Sequence, residues 1–320
     1  MDRFENATIG YVGLGQMGYG MALNIRKKIP RSARLVVCEI AEARRKQFEE
    51  EAMQFGPIEA VATPREVSEK ADLIITTLPR SQHVHEAFAN PSTGFLAARR
   101  TPESRTPLLF IECSTIEVAT SLEIRRMVEA SGLGSMIDAP VSGGPNGANG
   151  GTLTIMVGGS DELYQQALPI LEAMGKKGNI FSCGDPGAGL ATKQINNYLS
   201  SVCTIGVSEA MNMGLKYGLD PKTLSAVINS SSGRCYNSME QNPVKGVTPG
   251  AASERDFEGG FSVELCKGVL DLAVALGEQV GAQLLLSQPV LRVYEKALKD
   301  PRTQGKDSRS VIRLFEAGEA

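Results

Sequence analysis

"ATIGYVGLGQMGYGMALNI", residues 7–25, runs a β-rich segment straight into closely spaced glycines and then into a helical pattern. Gly13, Gly15 and Gly18 stand at G-x-G-x-x-G spacing, and Met17, Met21, Ala22 and Ile25 follow at helical spacing. Each glycine has its own use in a strand–turn–helix unit. Gly13 permits a tight turn, Gly15 lets backbone approach a pyrophosphate, and Gly18 lets helix and strand pack closely, with the helix N-terminus stabilising negative charge. The triplet alone is a weak sign. In this setting it predicts a dinucleotide site formed by Gly13, Leu14, Gly15, Gln16, Met17 and Gly18.

The next strand, "RLVVCE", ends on Glu39, where an acidic residue is expected to meet the adenosine ribose hydroxyls. That favours NAD over NADP, although Arg44 and Arg45 follow closely and could hold a 2′-phosphate. Further apolar runs at 71–79, 107–115, 134–144 and 151–159 alternate with helical stretches. Such alternation predicts an α/β fold, a Rossmann-type doubly wound, mainly parallel sheet. Ligands of these sheets sit at the carboxyl ends of strands, where Leu78, Pro79, Ser114 and Thr115 fall. The segment 97–107, with its prolines and charges, reads as a surface insertion.

"DAPVSGGPNGANGGT" (138–152) is glycine-rich and follows a strand. Ser142, Gly143 and Gly144 can turn successive backbone N–H groups into an anion-binding concavity, although a flexible loop is the plainer reading of such a stretch. After residue 185 strand signals largely vanish. An all-helical C-terminal domain is expected, with domains at 1–185 and 186–320.

"GLATKQINNYLSSVCTIGVSEA" (189–210) carries one cation, Lys193, and then no formal charge until Glu209. Lys193, Asn196, Asn197 and Ser200 share one helical face, while Leu190, Ala191, Ile195, Leu199, Val202 and Ile205 surround it, so the helix is expected to be buried on most sides. A lysine held there has a lowered pKa, both from burial and from its early position at the positive end of the helix. It can then accept the hydroxyl proton of an alcohol whose carbon loses hydride, with Asn197 orienting amine and substrate. A lysine that snorkels to solvent is the ordinary alternative.

The totals exclude several classes. A chain of 320 residues with net charge -3 offers no basic run for nucleic acid, and no apolar stretch is long enough to span a bilayer. Six cysteines without C-x-x-C spacing read as reduced thiols, and His83 and His85 lack metal spacing, so no metal is expected. The N-terminus enters a strand within a few residues, which reads as an intracellular protein, cytoplasmic as written, or of the mitochondrial matrix if a presequence is missing.

Taken together, "GYVGLGQMGYGMALNI", "DAPVSGGPNGANGGTLTIMVGG" and "GLATKQINNYL", in that order, resemble the cofactor, substrate and catalytic motifs of the β-hydroxyacid dehydrogenase family. The segments 230–247 and 259–273 extend the resemblance over nearly the whole chain. It implies NAD-linked oxidation of a small β-hydroxyacid, foremost 3-hydroxyisobutyrate to methylmalonate semialdehyde as in valine breakdown. Tartronate, glyoxylate or succinate semialdehyde are alternative substrates, and a non-catalytic nucleotide-binding scaffold is a reading of another class. The resemblance implies that Lys193 is the acid/base, that Ser142, Gly143 and Gly144 hold the substrate carboxylate, and that Asn197 supports both. It further implies nucleotide contacts at Leu78, Pro79, Thr115 and Lys267, no nucleic-acid or membrane partner, and a homodimer or homotetramer. The family's usual Lys-Asp is Lys267-Gly268 here, which leaves the aspartate's role unfilled in the sequence.

Overall fold

The computed structural model describes residues 2–100 and 107–316, so residues 101–106 of the 97–107 insertion lie outside the described residues. The chain divides into two compact units, Met1–Lys193 and Gln194–Ala320.

In the first unit, β1 (Thr8–Val12), α1 (Gly18–Lys28), β2 (Arg34–Cys38), α2 (Glu42–Ala52), β3 (Ile58–Val61), α3 (Pro64–Lys70), β4 (Leu73–Thr76), α4 (Ser81–Ala89), β5 (Leu108–Glu112), α5 (Val118–Ser131) and β6 (Gly134–Asp138) alternate as the pattern predicts. They are followed by β7 (Val141–Ser142), α6 (Gly144–Gly150), β8 (Leu153–Gly158), α7 (Asp161–Met174) and β9 (Gly175–Gly184). The nine strands lie in the order β3-β2-β1-β4-β5-β6-β8-β7, with β9 paired to β8. The six from β3 to β6 are parallel, and β8 runs antiparallel to β6 and β7.

Strand order reverses between β1 and β4, which opens a crevice at their carboxyl ends. Both faces of the sheet are covered. Ile9, Tyr11, Leu35, Val37, Ile75 and Ile111 enter one core, and Val12, Val36, Ile74 and Phe110 enter the other, where Phe88, Phe95 and Phe110 pack edge to face. Burial on both sides is why these strands read as continuous apolar runs.

Two strands were not expected. β3 and β9 lie at the margins of the sheet, and the "GKKGNIFSCG" of β9 is exposed at six of its ten positions, so neither carries a buried run. The run at 134–144 is broken by Pro140 into β6 and β7, and within the glycine-rich stretch Gly144–Gly150 form the helix α6 rather than a loop.

The long helix α8 (Ala188–Tyr217) begins in the first unit and continues in the second, which is otherwise α9 (Pro221–Ser230), α10 (Tyr236–Met239), α11 (Val263–Gln279), α12 (Ser287–Ala297) and α13 (Arg313–Glu316). Asp220 caps α9 ahead of Pro221, and Ser262 caps α11. Ile205, Val263, Leu270, Val290 and Tyr294 form one core of this unit. The buried Arg309 donates to Asn237 Oδ1, and Asn237 Nδ2 donates to the Ser200 carbonyl, tying α10 to α8.

The expected burial of α8 needs correction. Of the expected stripe only Lys193 and Asn197 are buried, with Ser200 half-buried; Ser201, Thr204 and Ser208 are buried as well, and these three hydroxyls donate to the carbonyls four residues back. Ile195 and Leu199 are instead 62% and 61% exposed, and Asn196 is exposed too. A helix can bury hydroxyls cheaply when its own backbone supplies the acceptors.

Two acidic residues close the strands beside the crevice. Glu112 and Asp138 are register partners on β5 and β6, both buried. Burial lifts Glu112 to about 7, against hydrogen bonds from Ser114 and Thr76 that pull the other way, and burial also raises Asp138. Glu112 thus keeps its proton in the fold while the unfolded chain loses it, so stability is greatest below the ordinary glutamate pKa and is lost as pH rises towards about 7. The loss is on the order of 3 kcal/mol at most. Glu112→Gln, which keeps the shape but carries no titratable proton, is expected to flatten the decline of Tm between pH 5 and pH 8. An unchanged slope would show that Glu112 does not titrate in that range.

Candidate active site

The glycine turn lies at the reversal of strand order. Gly13 N–H donates to the Cys38 carbonyl, and Thr77 N–H to that of Val12. At Gly13, φ is +95°, and a Cβ there would stand 2.2 Å from the Thr77 carbonyl oxygen. One at Gly18 would stand 2.0 Å from the Gly13 carbonyl oxygen, whereas a Cβ at Gly15 would meet nothing within 4 Å. Gly13 and Gly18 are therefore required by the fold itself, and Gly15 leaves an open cradle at the start of α1. This is the shape that a pyrophosphate needs.

Glu39 latches this turn. Its carboxylate accepts from Leu14 N–H at 2.6 Å and from Ala41 N–H at 2.8 Å, and its remaining lone pairs can still receive ribose hydroxyls. Arg44 donates from Nε to the Leu14 carbonyl at 3.0 Å and stacks 4.1 Å above the Tyr19 ring. Leu14 is thus held at both ends, and the Arg44 guanidinium is engaged in the turn.

Across the crevice, Leu78, Pro79 and Thr115 lie in the loops just beyond β4 and β5. Leu78 N–H donates to Ser114 Oγ at 2.7 Å, and Ser114 N–H to Glu112 Oε1 at 2.9 Å, so the two loops are joined through a buried acid. Asp138, at the end of β6, accepts from Gly187 N–H at 2.7 Å and Leu190 N–H at 2.8 Å, the start of α8. A Cβ at Gly158 or Gly189 would fall within 2.8 Å of its carboxylate. Residue type alone gave no sign of this anchor; the signal was an acid ending an otherwise apolar strand. It fixes the turn of α8 that immediately precedes Lys193.

Lys193 is buried, and burial alone brings its amine down to about 8. It makes none of the salt bridges seen among the described residues. At pH 7 an amine with that pKa is about one-tenth neutral, against a few parts in ten thousand for an ordinary lysine. It can take a proton without being an unusable acid.

Ser142 is half-buried at the end of β7, while Gly143 (φ +136°) and Gly144 (φ +61°) are exposed, with nothing within 4 Å of a Cβ at Gly144. Left-handed glycines in succession present their N–H groups on one side. Asn197 lies one turn beyond Lys193 on α8 and belongs to the second unit, as does Lys267 on α11. Lys267 Nζ bonds both carboxylate oxygens of Asp271, at 2.7 and 2.8 Å. Lys267 thus has a carboxylate partner one helical turn later, although Gly268 follows it. His83 and His85 are exposed on α4, all six cysteines are free, and among the described residues no side-chain cluster could hold a metal ion.

Comparison with known proteins gives two family models. Residues 8–184 match the NAD-binding domain of 6-phosphogluconate dehydrogenase, and residues 187–315 match the model described as NAD-binding of NADP-dependent 3-hydroxyisobutyrate dehydrogenase. A probable mitochondrial 3-hydroxyisobutyrate dehydrogenase of Dictyostelium discoideum is 37% identical, covering 98% of this chain and 92% of its own. The human mitochondrial 3-hydroxyisobutyrate dehydrogenase is 38% identical over 98% and 88%. The 3-hydroxyisobutyrate dehydrogenase of Mycobacterium tuberculosis, solved with L-serine, superposes with a TM-score of 0.82 at 32% identity, covering 97% of this chain and 99% of that one.

The glycine turn yields a paired expectation. Gly18→Ala should lower Tm markedly, because backbone must move to admit the methyl group. Gly15→Ala should keep the wild-type Tm and lose at least tenfold in NADH affinity, measured by the fluorescence of the bound dinucleotide. Equal effects of the two on Tm would contradict the division of roles.

Proposed function

The chain belongs to the β-hydroxyacid dehydrogenase family, and from that membership we propose that it oxidises 3-hydroxyisobutyrate to methylmalonate semialdehyde with NAD, the valine-degradation step, with Lys193 as acid/base. The observation that carries this reading is a lysine amine brought to about 8 by burial, on the segment that matches the catalytic motif.

In this reading residues 1–185 form the NAD-binding domain, and residues 186–320 the helical substrate and oligomerisation domain. Gly13–Gly18 would hold the pyrophosphate, Glu39 the ribose, and Leu78, Pro79, Thr115 and Lys267 would line the nucleotide. Bound NAD would supply the acceptor for the hydride leaving the hydroxymethyl carbon. The residues do the rest. Ser142, Gly143 and Gly144 hold the carboxylate through backbone N–H groups and the serine hydroxyl. Neutral Lys193 Nζ takes the hydroxyl proton as the C–O bond becomes a carbonyl, and Asn197 orients the amine. In reduction the protonated amine returns that proton. The engagement of Arg44 with Leu14 and Tyr19, beside the Glu39 carboxylate, supports NAD over NADP, since a 2′-phosphate would meet a negative charge and no free guanidinium from Arg44.

L-serine, named with the Mycobacterium tuberculosis structure, shares the 3-hydroxycarboxylate skeleton and supports assaying it alongside tartronate, glyoxylate and succinate semialdehyde. The setting proposed is intracellular, the cytoplasm or, as the names of the Dictyostelium and human relatives say of them, the mitochondrion.

We also propose a homodimer or homotetramer. Ile195 and Met213 are 18 residues apart on α8, as are Leu199 and Tyr217, which is five whole turns. All four therefore share one face, and all are more than half exposed, an apolar strip of the kind that a second copy covers.

NAD reduction at 340 nm with 3-hydroxyisobutyrate tests the activity. Turnover at least tenfold more efficient with NAD than NADP is expected, together with a fall of about a hundredfold or more in kcat for Lys193→Ala. Activity in Lys193→Ala within tenfold of wild type would refute the acid/base role. Light scattering on Leu199→Glu should show a smaller particle than wild type; an unchanged mass would remove α8 from the interface.

A further inference from the structure

Asn24 is a polar residue in the middle of the dinucleotide-binding helix, 7% exposed, six residues and about 9 Å along the axis from Gly18. That places it well away from the glycine turn, so contact with the nucleotide does not explain it. Its amide nitrogen donates at 2.9 Å to the Gly20 carbonyl, at 2.8 Å to the Ala148 carbonyl and at 2.9 Å to the Asn149 carbonyl. Three carbonyl acceptors fix which end of the amide is nitrogen. Ala148 and Asn149 lie in the last turn of α6, whose carbonyls have few partners within the helix. Gly20 makes the approach feasible, because a Cβ there would come within 2.4 Å of Asn149 Oδ1 and 2.8 Å of Asn149 N. Gly151, which ends α6 at φ +61°, abuts the Asn24 side-chain oxygen in the same way. The helix so gripped has seven residues and begins at Gly144, directly after Ser142 and Gly143.

We propose that Asn24 is a positioning residue for the substrate: by clamping the end of α6 to α1, it fixes the Ser142–Gly144 turn relative to the Gly13–Gly18 turn. This rests on the proposed carboxylate-binding role of that turn. A short helix behaves as a rigid rod, so a shift at its far end is carried to Gly144. The reacting carbon is registered against the nucleotide only if the two turns keep their spacing, and misplacement on the scale of 1 Å is costly. Nucleotide affinity should be indifferent to the clamp, because the Gly13–Gly18 turn is held separately by Glu39 and Arg44.

The test compares wild type, Asn24→Leu and Gly20→Ala. The first removes the donor at similar size; the second forces α6 outward while favouring helix in α1, so it stays informative if the first does not fold. Three quantities are read: NADH affinity by fluorescence, KM and kcat for 3-hydroxyisobutyrate, and the affinity of the enzyme–NADH complex for isobutyrate, which has the carboxylate but no hydroxyl. The expected result is a fall of tenfold or more in kcat/KM that includes kcat, with a rise in the isobutyrate Kd and NADH affinity within twofold. Unchanged carboxylate affinity in folded variants, or a parallel loss of NADH affinity, overturns the inference. Wild type that binds isobutyrate but does not oxidise 3-hydroxyisobutyrate would defeat the proposed substrate and leave the clamp to be judged on the isobutyrate arm. Wild type that binds no carboxylate overturns both.

Discussion

A lysine amine buried without a countercharge is the constraint on which the rest of the molecule depends. An ion pair would hold Lys193 protonated, unfit for the proposed role as base, and full exposure would leave it near 10.4. Burial alone brings it to about 8, and the fold must then supply everything else that holds it. Asp138 does so from the sheet, accepting two N–H groups from the start of α8. Along the helix, Ser201, Thr204 and Ser208 satisfy themselves on its own carbonyls, so the inward face stays polar without introducing a charge that would repair the lysine's isolation.

The carboxyl ends of β4, β5 and β6 form a connected polar layer beneath the crevice. Thr76 and Ser114 converge on Glu112, Glu112 neighbours Asp138, and Ser114 receives the Leu78 N–H. This layer joins the loops that flank the crevice to the start of α8 through side-chain hydrogen bonds and the pairing of β5 with β6. On the other side of the crevice, Glu39 and Arg44 hold Leu14 from opposite ends. Local latches of this kind let a glycine turn, flexible by composition, keep one shape.

Much of this was legible in the sequence, for identifiable reasons. Strands buried on both faces announce themselves as apolar runs, and the helical second half announces itself by its period, whereas β3 and β9 are marginal and polar enough to hide. Gly13, Gly15 and Gly18 could be assigned separate roles because backbone geometry restricts what each position tolerates. Lys193 was conspicuous as a lone charge in an apolar stretch. The orientation of α8 was not, because self-satisfied hydroxyls allow the polar side to face inward while Ile195 and Leu199 face out. Asp138 and Asn24 were also hidden: their partners are backbone groups far along the chain, which residue type does not reveal. The Lys267–Asp271 pair, an i,i+4 contact on α11, was likewise not singled out from the sequence.

The measurement that bears most directly on this account is the pH dependence of kcat/KM for hydroxyacid oxidation. The base must be neutral, so the rate should rise with pH as a single ionisation with its midpoint near 8 and then level off, while the reduction direction should fall through the same midpoint. A midpoint near 10, or a rate that does not respond to pH between 6 and 9, would contradict the claim that burial of Lys193 sets the chemistry.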